Sequence, residues 1–214
     1  LHGKISSQYF TKYFFCKDTA PLGKVVVSMG RICKVKGFDI LINAFARVLK
    51  YYPNSKLIIA GTDEGIRSDL YSQIHRLKLN SEIFIIDAIY GEEKNNFLAN
   101  ADLFALPSHS ENFGNVYLES LASGTPIVAS TNTPWSDVEI NKCGRWVGND
   151  VKEFSDAIVE VLGEDRDTMK ENSQIFAKKF DWSTVSHNYK KIRKPYIKLS
   201  FLKKKPIKSF FSIL

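Results

Sequence analysis

From Gly23 onward the chain alternates short apolar runs with amphipathic stretches. VVVSM (25–29) is a nearly unbroken apolar run, the pattern of a strand covered on both faces. KLIIAG (56–61), EIFIID (82–87), LFALPS (103–108) and PIVAS (126–130) repeat it, and RWVG (145–148) offers a sixth. Between the first two, FDILINAFARVLKYY (38–52) sets Phe38, Leu41, Ile42, Phe45, Val48 and Leu49 at helical spacing. Further helical stretches are predicted over 66–78, 92–99, 116–122, 151–163 and 165–180.

Strands alternating with helices specify a doubly wound α/β domain with a mostly parallel, Rossmann-like sheet. The domain is expected over residues 23–194, after a leader of 1–22 and before a basic, aromatic tail of 195–214. In such sheets ligands bind beyond the C-terminal strand edges, where loops meet helix starts. Candidate chemistry is therefore sought in the segments that follow each strand.

Composition narrows the partners. The chain has 214 residues, with 44% apolar and 25% charged, which suits a folded domain with a substantial core. Its net charge of +7 favours anionic partners, but the run 189–214 is basic and free of acid, and the body without it is near neutral. That distribution argues against a nucleic-acid binder. Cys16, Cys33 and Cys143 are scattered without metal or redox spacing, so a reducing, cytoplasmic setting is expected. No apolar run reaches the roughly 18 residues of a bilayer span, and no signal-peptide pattern is present. The basic tail either contacts an anionic membrane surface, giving peripheral association at the inner face, or coats a terminal helix that Pro195 and Pro206 interrupt.

Two strand ends carry the candidate residues. In SMGRICKVKGFD (28–39), Gly30 permits close backbone approach, and Arg31 and Lys36 bring a planar fork and a point charge to a helix start near Gly37. Neither a Walker A loop nor GxGxxG is present. In ALPSHSENFGNVYLES (105–120), Gly114 turns the chain, and the amides of Asn115, Val116 and Tyr117 begin a helix whose dipole favours an anion. Glu111 precedes that helix and Glu119 lies one turn inside it, placed to accept bonds from paired sugar hydroxyls.

Plain surface glutamates and solvated cations remain the simpler reading of each loop alone. Their shared place on one sheet edge favours a site for a phosphorylated sugar. A two-carboxylate hydrolase has no raised carboxyl to serve as its acid. GxSxG is absent, and His2, His75, His109 and His187 lack paired metal-ligand spacing, so no metal is expected. His109 either touches the ligand or packs in its loop.

Taken together, GRICKVKG (30–37) and ADLFALPSHSENFGNVYLESLASGTPIVAS (101–130) resemble the group-one retaining glycosyltransferases, the glycogen synthase-like family. Its marks here are Glu111 and Glu119 separated by seven residues, the Gly-Arg-x(4)-Lys-Gly run and the Gly-Thr-Pro after the helix. The resemblance spans about residues 22 to 190. It implies one half of a two-domain enzyme, the C-terminal half that binds the donor, with most of the acceptor held by an N-terminal partner domain.

Carried over, Arg31 and Lys36 would hold the diphosphate of a UDP-, GDP- or ADP-sugar and Glu119 would bond the ribose. Glu111 would face the donor sugar, and Gly30, Phe113, Gly114, Asn115 and Val116 would line the pocket. Residues around Asp87 to Tyr90 would flank the base. The resemblance further implies retention of configuration, no required metal or other cofactor, and a saccharide or lipid-linked acceptor.

TNTPWSD (131–137) lacks the Gly-Gly-x-x-Glu pattern of many members. Together with CGRWV (143–147), it resembles bacterial surface-polysaccharide enzymes. Two other readings stay open: a non-catalytic sugar-nucleotide-binding subunit, and an epimerase built on paired folds of the same kind.

Overall fold

A computed structural model describes residues 23–180. A boundary after Ala177 divides the chain into two compact units, and of the second only the 3-10 turn Lys178–Phe180 is described. The leader, the tail, the domain limit at 194, Cys16, His2 and His187 lie outside the described residues.

Six strands form one sheet: β1 (Val25–Met29), β2 (Lys56–Ala60), β3 (Ile83–Ile86), β4 (Leu103–Leu106), β5 (Ile127–Ser130) and β6 (Gly144–Val147). Their spatial order is β3-β2-β1-β4-β5-β6, and every pairing is parallel. The register pairs Met29 with Ala60 and Leu106 with Ala129, so the strands end together along one edge. Both faces are covered, which explains why β1, β2, β4 and β5 are apolar almost throughout and buried.

The helices are α1 (Phe38–Val48), α2 (Arg67–Arg76), α3 (Gly91–Ala99), α4 (Asn115–Ala122), α5 (Asp137–Ile140), α6 (Val151–Gly163) and α7 (Arg166–Ala177). One layer packs α1 against α2 and α6, and the other packs α4 against α3 and α7. The stripe on α1 buries Phe38, Leu41, Ile42, Phe45 and Val48 as its spacing requires. That helix stops at Val48 rather than residue 52: Lys50 and Tyr51 donate three residues back, to the Arg47 and Val48 carbonyls, in a tighter turn ahead of Pro53. Likewise β4 stops at Leu106, one residue before Pro107, which has no N–H for the ladder. At α6, the Asp150 carboxylate caps the first turn through the amides of Lys152 (2.8 Å) and Glu153 (3.0 Å).

Strand order reverses between β1 and β4. From β1 the chain winds outward through β2 and β3, and from β4 outward through β5 and β6. The connections leaving these two central strands run toward opposite edges of the sheet, and it is at such a switch point that sheets of this kind place a ligand crevice. Both predicted clusters sit there.

Candidate functional site

The two strand-end segments are stitched to each other. After β1 the chain makes a 3-10 turn, Lys34–Lys36, and then Gly37 at φ 67° starts α1. A Cβ at Gly37 would lie 2.3 Å from the Pro107 carbonyl oxygen, so only glycine lets the β1 and β4 loops approach this closely. The Val35 carbonyl accepts the His109 amide at 2.7 Å and the Ser108 hydroxyl at 3.1 Å. On this frame the Lys36 ammonium meets the Glu111 carboxylate. Only 13% of the Lys36 side chain and 12% of the Glu111 side chain remain exposed, which makes this pair far less screened than a surface one.

A Cβ at Gly30 would meet only the Lys36 stem, at 3.4 Å, whereas at neighbouring Gly61 it would collide with the Gly30 carbonyl oxygen. Close backbone approach at this edge is thus between Gly30 and Gly61, and between Gly37 and Pro107.

The two predicted cations take separate partners. Lys36 turns toward the β4 loop, while the exposed Arg31 places Nη1 3.1 Å from both Glu64 oxygens. That bond, with the Glu64 charge, holds the Arg31 guanidinium pKa above its ordinary value, and Glu111 adds in the same direction.

At α4, Gly114 takes φ 73° and no side chain caps the helix start. Of the three amides expected to face a ligand, that of Tyr117 is spent, donating to the Gly114 carbonyl at 3.0 Å. The amides of Asn115 and Val116 donate to no described group, and both residues remain at least partly accessible. Glu119, inside α4, accepts from Lys94 of α3 at 2.7 Å. Phe113 and Tyr90 are exposed at the same edge, while Asp87 pairs with Arg67 at 2.8 Å.

Several residues that build this edge carry no signal in the sequence. Ser108, Ser130 and Asn149 pin the loop after β4: Ser130 donates to the Ser108 carbonyl, and Asn149 Nδ2 to the Pro107 carbonyl at 3.1 Å. Asn149 Nδ2 also lies 3.4 Å from His109 Nδ1. Trp135, from the atypical TNTPWSD segment, is 1% exposed and bonds the Phe113 carbonyl. No periodicity marks these residues, because they serve loops rather than a regular face. Among the described residues no cluster of His, Cys, Asp or Glu has the grouping to hold a metal ion, and no helix is long and apolar enough to cross a membrane.

Together the segments after β1 and β4 hold an ammonium, a guanidinium, two helix-start amides with no described acceptor, and two carboxylates. The family model described as "Glycosyl transferases group 1" matches residues 13–176. The D-inositol 3-phosphate glycosyltransferase of Mycolicibacterium smegmatis is 32% identical over 168 residues, covering 75% of this chain and 37% of its own. The alpha-monoglucosyldiacylglycerol synthase of Streptococcus pneumoniae is 33% identical over 139 residues, covering 65% of this chain and 31% of its own. The chain therefore spans less than half the length of these relatives.

Among solved structures, Anabaena HepE in complex with UDP superposes with a TM-score of 0.68 at 25% identity, over 82% of this chain and 49% of that one. The C-terminal domain of a group 1 glycosyl transferase from Francisella tularensis shares the fold, with a TM-score of 0.64 at 20% identity over 72% of this chain and 84% of that domain. By its fold, its paired strand-end loops and a family match across most of its length, this chain belongs to the group 1 glycosyltransferases.

Proposed function

We propose that this chain binds the sugar-nucleotide donor of a retaining hexosyltransferase, in the crevice between the β1 and β4 loops. The carrying observation is the shielded Lys36–Glu111 pair at the topological switch point, beside a helix start with two amides to donate. Cleavage of a sugar–phosphate bond leaves a nucleoside diphosphate whose charge grows through the transition state. Lys36, Arg31 and the Asn115 and Val116 amides are the groups that meet it. Glu111 stands beside the developing positive charge of the sugar and favours it electrostatically. Glu119 receives ribose hydroxyls, sharing its carboxylate with Lys94.

HepE was solved with UDP, which supports a nucleoside diphosphate as ligand. The relative named for glucosyldiacylglycerol synthesis supports a saccharide or lipid-linked acceptor. That acceptor would be held by an N-terminal partner domain, and the basic run 189–214 would draw the enzyme to anionic membrane in the cytoplasm. Flotation with anionic vesicles, against a protein lacking 195–214, tests that last point.

Calorimetric titration with UDP, GDP and ADP tests the donor reading. One of them should bind, with or without EDTA, and Lys36→Ala should weaken it by about tenfold or more. Absence of binding to all three, or a Lys36→Ala protein that binds like wild type, would overturn it. In the assembled enzyme, Glu111→Gln should lower turnover about a hundredfold.

A further inference from the structure

The loop after β2 is built against the segment that carries Arg31. Ile32 donates its amide to the Thr62 carbonyl at 2.8 Å, and the Glu64 amide returns a bond to the Ile32 carbonyl at 3.1 Å. Ile32 and Asp63 form a one-residue parallel bridge. The Asp63 carboxylate braces the turn from within, accepting the amides of Gly65 (2.9 Å) and Arg67 (3.1 Å). Backbone bonds on either side of residue 64 therefore fix where its carboxylate starts. Arg31 engages it through Nη1 alone, and among the described residues Nε and Nη2 donate to no group.

We propose that Glu64 is a counter-carboxylate that competes with the donor diphosphate for Arg31, lowering the grip of the crevice on nucleoside diphosphate and hastening its release. This rests on the donor-binding function proposed above. Three of the ion pairs along this edge hold proposed ligand groups, and they differ in how readily they exchange. Lys36–Glu111 is shielded, and Lys94–Glu119 is intermediate at 25% and 39% side-chain exposure. Arg31–Glu64 is the most exposed, at 66% and 39%, so water and salt already compete with it.

A diphosphate offers Arg31 the parallel two-nitrogen contact that Glu64 does not supply. Glu64 cannot follow the guanidinium, because its backbone is tied to residue 32. It remains a negative charge near a negative ligand and recaptures Arg31 when the product leaves. Release of product limits many enzymes, which gives a weakened grip its use.

Glu64→Gln keeps the size and the acceptor oxygen and removes the charge. Whichever of UDP, GDP and ADP binds wild type should bind the variant roughly three- to tenfold tighter, with correspondingly slower dissociation. The gain should shrink in about 0.5 M salt, which a packing effect would not do. In an Arg31→Ala background, Glu64→Gln should change affinity less than about twofold. Unchanged or weaker binding by Glu64→Gln would make Glu64 a bystander or an orienting residue and overturn the proposal. Equal tightening without Arg31 would also overturn it, since the carboxylate would then act on the ligand directly. Failure of wild type to bind any of the three nucleotides is a separate result that removes the donor function itself.

Discussion

Trp135 donates its indole N–H to the carbonyl of Phe113 at 2.6 Å, tying the segment after β5 to the loop that carries Glu111. Its ring also packs on those of Phe113 (5.1 Å), Tyr117 (5.8 Å) and Phe176 (6.4 Å). One side chain thus joins the Gly114 turn, the body of α4 and α7. Trp135→Phe keeps most of the ring contact and removes the donor, at a cost of about 1–2 kcal/mol. A fall of about 3–6 °C in melting temperature is expected for a domain of this size. Nucleotide affinity should fall too, although Trp135 itself is buried, and calorimetry at a temperature where both proteins are folded checks it.

The Lys36–Glu111 pair predicts non-additive stability. Removing one partner strands a shielded charge, so Lys36→Met should cost about 2–4 kcal/mol in urea denaturation. Ser108, whose hydroxyl lies 3.4 Å from the same Glu111 oxygen, is too weak a substitute to recover that loss. Adding Glu111→Gln removes the stranded charge and should restore at least half of it. Nucleotide binding should stay weakened in both proteins, which separates the structural role of the pair from its ligand role.

The parts of the molecule that obey a period are legible in the sequence. Buried strands such as VVVSM and the stripe of α1 announce themselves, because a face covered by another layer must be apolar at every contact. The juxtaposition of Lys36 with Glu111, 75 positions apart, follows from the sheet rule for ligand sites. The partner of Arg31 does not follow. Glu64 sits in a polar turn with no pattern, and a single isolated bridge decides which loop it faces. Trp135 stands in the sequence only as a departure from a family pattern, because nothing local reveals that a loop side chain will be 1% exposed.

Three glycines with positive φ form a graded series. Gly65 at φ 97° has nothing within 4 Å of the place an alanine methyl would take, so Gly65→Ala carries only the backbone penalty, about 1 kcal/mol. Gly114→Ala adds a 2.7 Å approach to the buried Tyr117 ring, for about 2–4 kcal/mol in all. Gly37→Ala drives a methyl group to 2.3 Å from the Pro107 carbonyl oxygen, a backbone atom that cannot rotate away. It should be the most damaging of the three and should separate the two loops that form the crevice. Denaturation midpoints in the order Gly65→Ala, Gly114→Ala, Gly37→Ala, highest to lowest, would bear this out. A Gly37→Ala protein as stable as Gly65→Ala would show that the loops need not touch.

Alkaline titration isolates Tyr117. Its hydroxyl is buried and donates to the Leu106 carbonyl at 2.9 Å, at the end of the strand that leads to the site. Burial, with the Glu111 carboxylate as a second cause, pushes the phenol pKa far above its ordinary value near 10. A group whose folded pKa is raised gives stability that is intact below the unfolded pKa and is lost as pH climbs past it. Wild type should therefore lose stability from about pH 10 upward, as the unfolded chain releases a proton that the folded chain retains. Tyr117→Phe should be weaker by about 1 kcal/mol at pH 7, having lost one buried hydrogen bond. Its stability should also fall less steeply between about pH 9.5 and 11, because the proton that drove the loss is gone. Urea midpoints for the two proteins should converge across that interval, and parallel curves would mean that Tyr117 ionises in the folded state as readily as in the unfolded one.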